Sequence, residues 1–139
     1  MKNLIKLSIL SIFFVPINMD FFRDDENVSI RFYADYASVR YEDKDWSDWI
    51  TSNVYIVYNS DSFNSRLTIY ASEVSRYIIY REESYTDHDN DQVFKWYSLC
   101  RETNEEVNFR LVIFYEKDHV HIYMDREDFG IVYNINRLE

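Results

Sequence analysis

The sequence predicts an all-β domain, an antiparallel up-and-down meander of about seven or eight strands that curls into a small barrel or a two-layer sandwich. Three observations carry this expectation. The 139 residues include 13 Tyr and 10 Phe but one Gly and one Pro, and aromatic side chains suit a pleated, half-buried surface. Short apolar/polar alternations recur along the chain, separated by turns rich in Asn, Asp and Ser. With Gly and Pro nearly absent, those three residue types must make the turns, because they bond their own backbone and tolerate its geometry. Finally, residues 107–125, VNFRLVIFYEKDHVHIYMD, sort into two faces when folded at Lys117-Asp118. In that register Tyr115 faces Val120, Ile113 faces Ile122 and Leu111 faces Met124, an apolar row. The opposite face pairs Glu116 with His119, Phe114 with His121, Val112 with Tyr123 and Arg110 with Asp125. A slip of one residue would turn the apolar set to solvent.

The remaining elements follow in order. Residues 1–17, MKNLIKLSILSIFFVPI, place Lys2 and Lys6 ahead of an apolar run. That is the order of a secretory signal peptide, and the run is too short to span a bilayer as a helix. Residues 1–19 are therefore expected to be a signal peptide, with an uncleaved N-terminal segment as the alternative, and residues 20–139 a single β-domain. After a charged linker at 20–26, residues 28–32 alternate as a first strand that 37–41 continues or pairs with. Residues 41–49, YEDKDWSDW, form a loop or strand edge carrying Trp46 and Trp49. Residues 53–59 are apolar at almost every position, which predicts a strand covered on both sides. A turn at 59–65 leads to alternation at 66–72, with Leu67, Ile69 and Ala71 on one face. Residues 73–81 suit a helix or a strand; shortness and the run Tyr77-Ile78-Ile79-Tyr80 favour the strand. Turns at 86–92, 101–106 and 126–128 separate strands at 93–100, in the hairpin, and at 129–135.

Composition narrows function. Fifteen Lys+Arg against 25 Asp+Glu give a formal charge of −10, which disfavours nucleic acid and anionic membrane surfaces, since both need cationic neutralisation. Cys100 is the single cysteine, so no intrachain disulfide can form. Asp87, Asp89 and Asp91 alternate like the start of a calcium loop, but the sixth and twelfth places hold Gln92 and Ser98 where an EF-hand needs Gly and Glu. A solvated turn is the first reading, and a looser calcium site the second. His119 and His121 share a strand face and could supply two metal ligands, with a third from His88, Glu116 or Asp125. The hairpin pairing favours an ordinary outer face instead. No nucleophile elbow, zinc-protease motif, P-loop or dinucleotide fingerprint is present. No enzyme and no cofactor are expected.

The aromatic surplus is the remaining signal. Tyr77, Tyr80, Tyr97 and Tyr123, with Trp46 and Trp49, are the candidate binding residues, because amphipathic rings anchor interfaces and line ligand sites. Ordinary cross-strand packing is the competing reading.

Five segments carry a resemblance: W-S-D-W at 46–49, R-L-T-I-Y at 66–70, T-D-H-D-N-D at 86–91, F-R-L-V at 109–112 and V-Y-N at 132–134. Over residues 46–134 the chain resembles a family of small signal-peptide-bearing proteins of unknown function from Gram-negative gut and aquatic bacteria and some of their phages. The resemblance implies export and a compact β fold, and it brings no activity. Members often have a Cys pair bracketing the turn before F-R-L-V. Ser98 and Val107 stand at those places here, so that cross-link is absent.

The function expected from these readings is an exported, non-enzymatic binding domain for a protein partner or a small apolar or aromatic ligand. The alternative is a cytoplasmic, acidic, phage- or host-encoded interaction protein that blocks a basic surface. Neither reading involves nucleic acid, or a membrane once the signal is removed.

Overall fold

Alternation along the chain becomes eight strands among the described residues, each pairing antiparallel with the next. They are β1 (Val28–Tyr41), β2 (Ile50–Ser60), β3 (Ser65–Tyr70), β4 (Val74–Thr86), β5 (Gln92–Cys100), β6 (Glu106–Ile113), β7 (Val120–Asp125) and β8 (Phe129–Leu138). The structure is a computed structural model and describes residues 27–42, 44–61, 64–116 and 119–138. β8 returns to pair with β1, with Ala37 opposite Tyr133 and Val39 opposite Ile131. The meander therefore closes into a barrel, and closure removes the unpaired edges an open sheet would expose. The expected signal segment and linker at 1–26 and the expected bend at Lys117-Asp118 lie outside the described residues.

Inward-facing side chains fill the barrel. Ile30, Phe32, Ile56, Tyr58, Leu67, Ile69, Phe94, Trp96, Phe109, Leu111, Ile122 and Met124 are all buried there. Tyr58 stacks on Trp96 with ring centroids 5.1 Å apart, and Tyr77 meets Phe109 edge-on at 4.9 Å. Offset and edge-to-face contacts of this kind suit the ring quadrupole.

Two bulges decide which residues face in. One lies between Ala34 and Tyr36 on β1, the other between Ile79 and Arg81 on β4. The extra residue reverses parity beyond it. Tyr77 and Ile79 point inward before the β4 bulge, and after it Glu82 reaches the inward hydroxyls of Tyr58 and Ser65.

The 107–125 hairpin forms with the expected faces in a different register. Leu111 faces Ile122, Phe109 faces Met124 and Ile113 faces Val120; outside, Arg110 faces Tyr123 and Val112 faces His121. Ile122 thus meets Leu111 rather than Ile113. An even shift preserves inside and outside, so the apolar row survives. Tyr115 leaves that row: it is exposed, and its N–H donates to Asp91 Oδ1 at 2.9 Å. The physical reason is the turn. A two-residue hairpin loop favours φ > 0 at its centre, hence Asn-Gly or Asp-Gly, and Lys-Asp supplies neither. The pairing instead ends where the Phe114 N–H donates to the His119 carbonyl.

Two smaller expectations also change. Ala71 sits exposed in the β3–β4 turn rather than on the inner face. β2 is covered on its inner side alone, and Tyr55 on its outer side keeps 47% of its surface in water. The turns use Asn as expected, with Asn90 at φ 67° and Asn104 at φ 62°, a region that Asn tolerates best after Gly.

Candidate functional site: the aromatic outer wall

The connection between β1 and β2 does not hang free. Ser38 Oγ donates to the Ser47 carbonyl at 2.6 Å, the Ser47 N–H donates to the Val39 carbonyl at 2.8 Å, and the Val39 N–H donates to Ser47 Oγ at 3.0 Å. Pinned at Ser47, the loop lays both tryptophans on the outer wall. Trp46 meets Tyr123 of β7 with centroids 6.2 Å apart, and Trp49 meets His121 at 5.5 Å. Between them lies β8, where Val132 faces outward yet is only 4% exposed. The chain's single glycine belongs to the same contact. A Cβ on Gly130 would lie 3.4 Å from Trp46 Cη2 and 3.5 Å from the Met124 carbonyl. Both distances are ordinary van der Waals contact, and Gly130 does not use a positive φ.

His121 is the hub of this patch. Besides Trp49, its ring meets Phe114 at 5.0 Å, Tyr123 at 6.0 Å and His119 at 6.1 Å. No further His, Cys, Asp or Glu among the described residues groups with His119 and His121 as a metal set. Asp87, Asp89 and Asp91 do bring three carboxylate oxygens within 4.8 Å of one another. Asp87 Oδ1 already accepts the N–H groups of Asp89 and Asp91, and Asp91 Oδ1 accepts that of Tyr115. These carboxylates organise a turn.

From the tryptophan clasp the wall continues across β6, β5 and β4 as cations laid on rings. Arg40 lies 4.9 Å from the centre of the Trp46 ring, and Arg110 4.3 Å from that of Tyr123. Lys95 and Arg81 lie 5.0 and 4.4 Å from that of Tyr97. The strand register sets this order, since Arg81 faces Tyr97, Lys95 faces Arg110 and Arg110 faces Tyr123. Arg110 also holds Asp125 through Nε at 2.8 Å, diagonally rather than directly across. Tyr80 lies 6.5 Å from Tyr97 and donates its hydroxyl to Glu106, which raises the Tyr80 pKa.

Trp46, Trp49, Tyr80, Tyr97 and Tyr123 thus share one outer wall. Tyr77 does not. It is 4% exposed, buried against Phe109, and its hydroxyl donates to Met124 Sδ at 3.8 Å. Tyrosine carries an apolar body and a polar tip, so alternation alone does not say which side it takes.

Sequence reasoning missed two further groups. At one barrel end, Glu82 accepts hydrogen bonds from the Tyr58 hydroxyl at 2.9 Å and the Ser65 hydroxyl at 3.0 Å, and Ser65 lies 3.1 Å from Ser60. The signal was the Ile78-Ile79 doublet, where strict alternation breaks and a bulge follows. The second group is a row of outward tyrosines on β1–β3, foreshadowed by the doubly apolar β2 segment. No family model, no curated protein and no solved structure matches the chain.

Proposed function

We propose that this protein is an exported, non-enzymatic binding domain whose contact surface is the outer wall of β4–β7 with the Trp46–Trp49 clasp. One observation carries the reading. In a chain of net charge −10, Arg40, Arg81, Lys95 and Arg110 are gathered onto the rings of Trp46, Tyr97 and Tyr123. Tyrosine, tryptophan and arginine dominate interface anchors because each offers a large, flat, amphipathic contact. The partner that suits such a wall is a protein segment presenting carboxylates among aromatic or apolar side chains. The barrel's inside is apolar and its outside bears arginines, the inverse of a membrane-spanning barrel. Lys2 and Lys6 before the apolar run at residues 7–17 support export.

The cytoplasmic, acidic alternative draws on a different feature. The turns at the barrel end where β1 stops expose Glu42, Glu73, Glu102, Glu105, Glu127 and Asp128, a face suited to a basic surface.

Tandem affinity capture from the native host separates the readings. Replacing Tyr97 and Arg81 together by Ala is expected to lower partner recovery at least roughly tenfold, as loss of interface anchors does. Unchanged recovery contradicts the wall assignment. N-terminal mass spectrometry of the same material checks export, and an intact Met1 contradicts it.

A further inference from the structure

We propose a second binding surface, the outer face of β1–β3 around Tyr33, Tyr55 and Tyr70, and infer that it takes a neutral glycan. The register aligns these residues. Tyr33 faces Tyr55 across β1 and β2, Tyr55 faces Tyr70 across β2 and β3, and Val74 of β4 ends the row. Tyr33 and Tyr55 have ring centroids 5.1 Å apart, tilted by 48°. That contact leaves Tyr55 47% and Tyr70 46% exposed, so cross-strand packing alone does not use these rings up.

Charge identifies the occupant. The chain is 29% charged, yet β2, ITSNVYIVYNS, carries no charged side chain and β3 only Arg66. The neighbouring row sets Val57 and Thr68 between Arg31 and Arg76, and Arg76 is already held by Glu102 at 3.2 Å. The tyrosine row itself holds no charged side chain, and the two arginines stand only at the ends of the neighbouring row, so a charged ligand would find no counter-ion at the centre of the tyrosine row. A wholly apolar partner would bury the hydroxyls of Tyr55, Tyr70 and Thr68 without satisfying them, at a cost per group. A second copy would bring another net charge of −10 against the first, and like-charged molecules repel. A neutral sugar chain meets every condition. The C–H face of a pyranose lies flat on an aromatic ring, and its hydroxyls pair with amides and phenols.

The site is also partly organised beforehand. The Tyr33 hydroxyl donates to Asn53 Oδ1 at 2.8 Å, which fixes that ring and leaves the Asn53 amide its N–H donors for a ligand. A fixed ring loses less conformational freedom on binding. This surface is separate from the cation-bearing wall and does not depend on the proposal made for it.

The test titrates the full chain with cellohexaose, maltohexaose and N-acetylchitohexaose by isothermal calorimetry, beside the Tyr55→Ala and Tyr70→Ala variants and Tyr85→Ala, which changes an equally exposed tyrosine on β4 outside the row. Circular dichroism and a thermal melt establish that each variant is folded. At least one of the sugars is expected to bind, weakened roughly tenfold or more by either of the first two substitutions and unchanged by Tyr85→Ala, as for a stacked anchor. If none of the three binds at millimolar concentration, or if binding is indifferent to Tyr55 and Tyr70, the proposal is overturned. A dimer in sedimentation that Tyr55→Ala converts to monomer would assign the face to a second copy, and overturns it equally.

Discussion

A tyrosine in this chain has one of two fates, and the pH dependence of the fold follows from which it meets. Tyr58, Tyr77 and Tyr133 are inside, whereas Tyr55, Tyr70 and Tyr80 are outside. Burial disfavours the charged phenolate, so it pushes the Tyr133 pKa up to about 12 and is also the largest cause of the raised values of Tyr58, Tyr77 and Tyr123. At Tyr58 the Glu82 carboxylate adds to the rise. A raised folded-state pKa stabilises the fold fully below the unfolded value, about 10, and the contribution is lost as pH climbs through the folded value. Stability is therefore expected to hold up to about pH 10 and then to fall by about 1.4 kcal/mol per pH unit for each buried tyrosine still protonated. Phenolate absorbance followed with near-ultraviolet dichroism checks this. The buried group should ionise only as the tertiary signal disappears. A single titration of all 13 tyrosines near pH 10 with the tertiary signal intact would contradict the assignment.

Strand parity was the most legible feature of the sequence, and strand register the least. Leu67 and Ile69 on β3, and Leu111, Ile122 and Met124 in the hairpin, face inward as alternation implies. Alternation has period two, so it distinguishes odd from even shifts and nothing finer. Register within an even class depends on the turn, and the sequence Lys-Asp at 117–118 is not the Asn-Gly or Asp-Gly that a two-residue loop favours. Bulges escape for a related reason. Each is an irregularity of one residue, and the Ile78-Ile79 doublet marks its neighbourhood without saying which residue is extra. The outer-wall partnership of Trp46 with Tyr123 was not legible at all, because a loop crossing a barrel wall leaves no periodic trace.

The register also makes an engineering prediction. Ser98 and Val107 face each other on β5 and β6, are both buried, and are already joined by a Ser98 hydroxyl donating to the Val107 carbonyl at 2.6 Å. Directly opposed residues in an antiparallel pair have Cα atoms about 4.5–5.5 Å apart, inside the range a disulfide spans. A Ser98→Cys/Val107→Cys variant in a Cys100→Ala background should oxidise completely. It should then resist urea by about 2 kcal/mol more than its reduced form, the gain expected for so short a loop. Failure to oxidise would contradict the β5–β6 register.

At the scale of the molecule, the eight strands make sense only as a closed ring. Closure explains how a chain this rich in apolar and aromatic strands presents no open edge for aggregation, and it separates the molecule into an apolar inside and two dissimilar outer faces. One outer face carries guanidinium groups laid on rings; the other bears a tyrosine row with no charged side chain within it. The wall with its clasp exists only if the first and last strands meet, because the loop after β1 reaches Tyr123 and His121 on β7 across β8. Closure also joins residues 99 positions apart, as in the Asn134 amide donating to Asp35 Oδ1 at 3.0 Å. Cross-strand nuclear Overhauser effects in isotope-labelled protein test this most directly. Contacts between Ala37 and Tyr133, and between Leu111 and Ile122, are the result expected from the pairing; a β1 edge without contacts to β8, or Ile113 lying directly opposite Ile122, would contradict it.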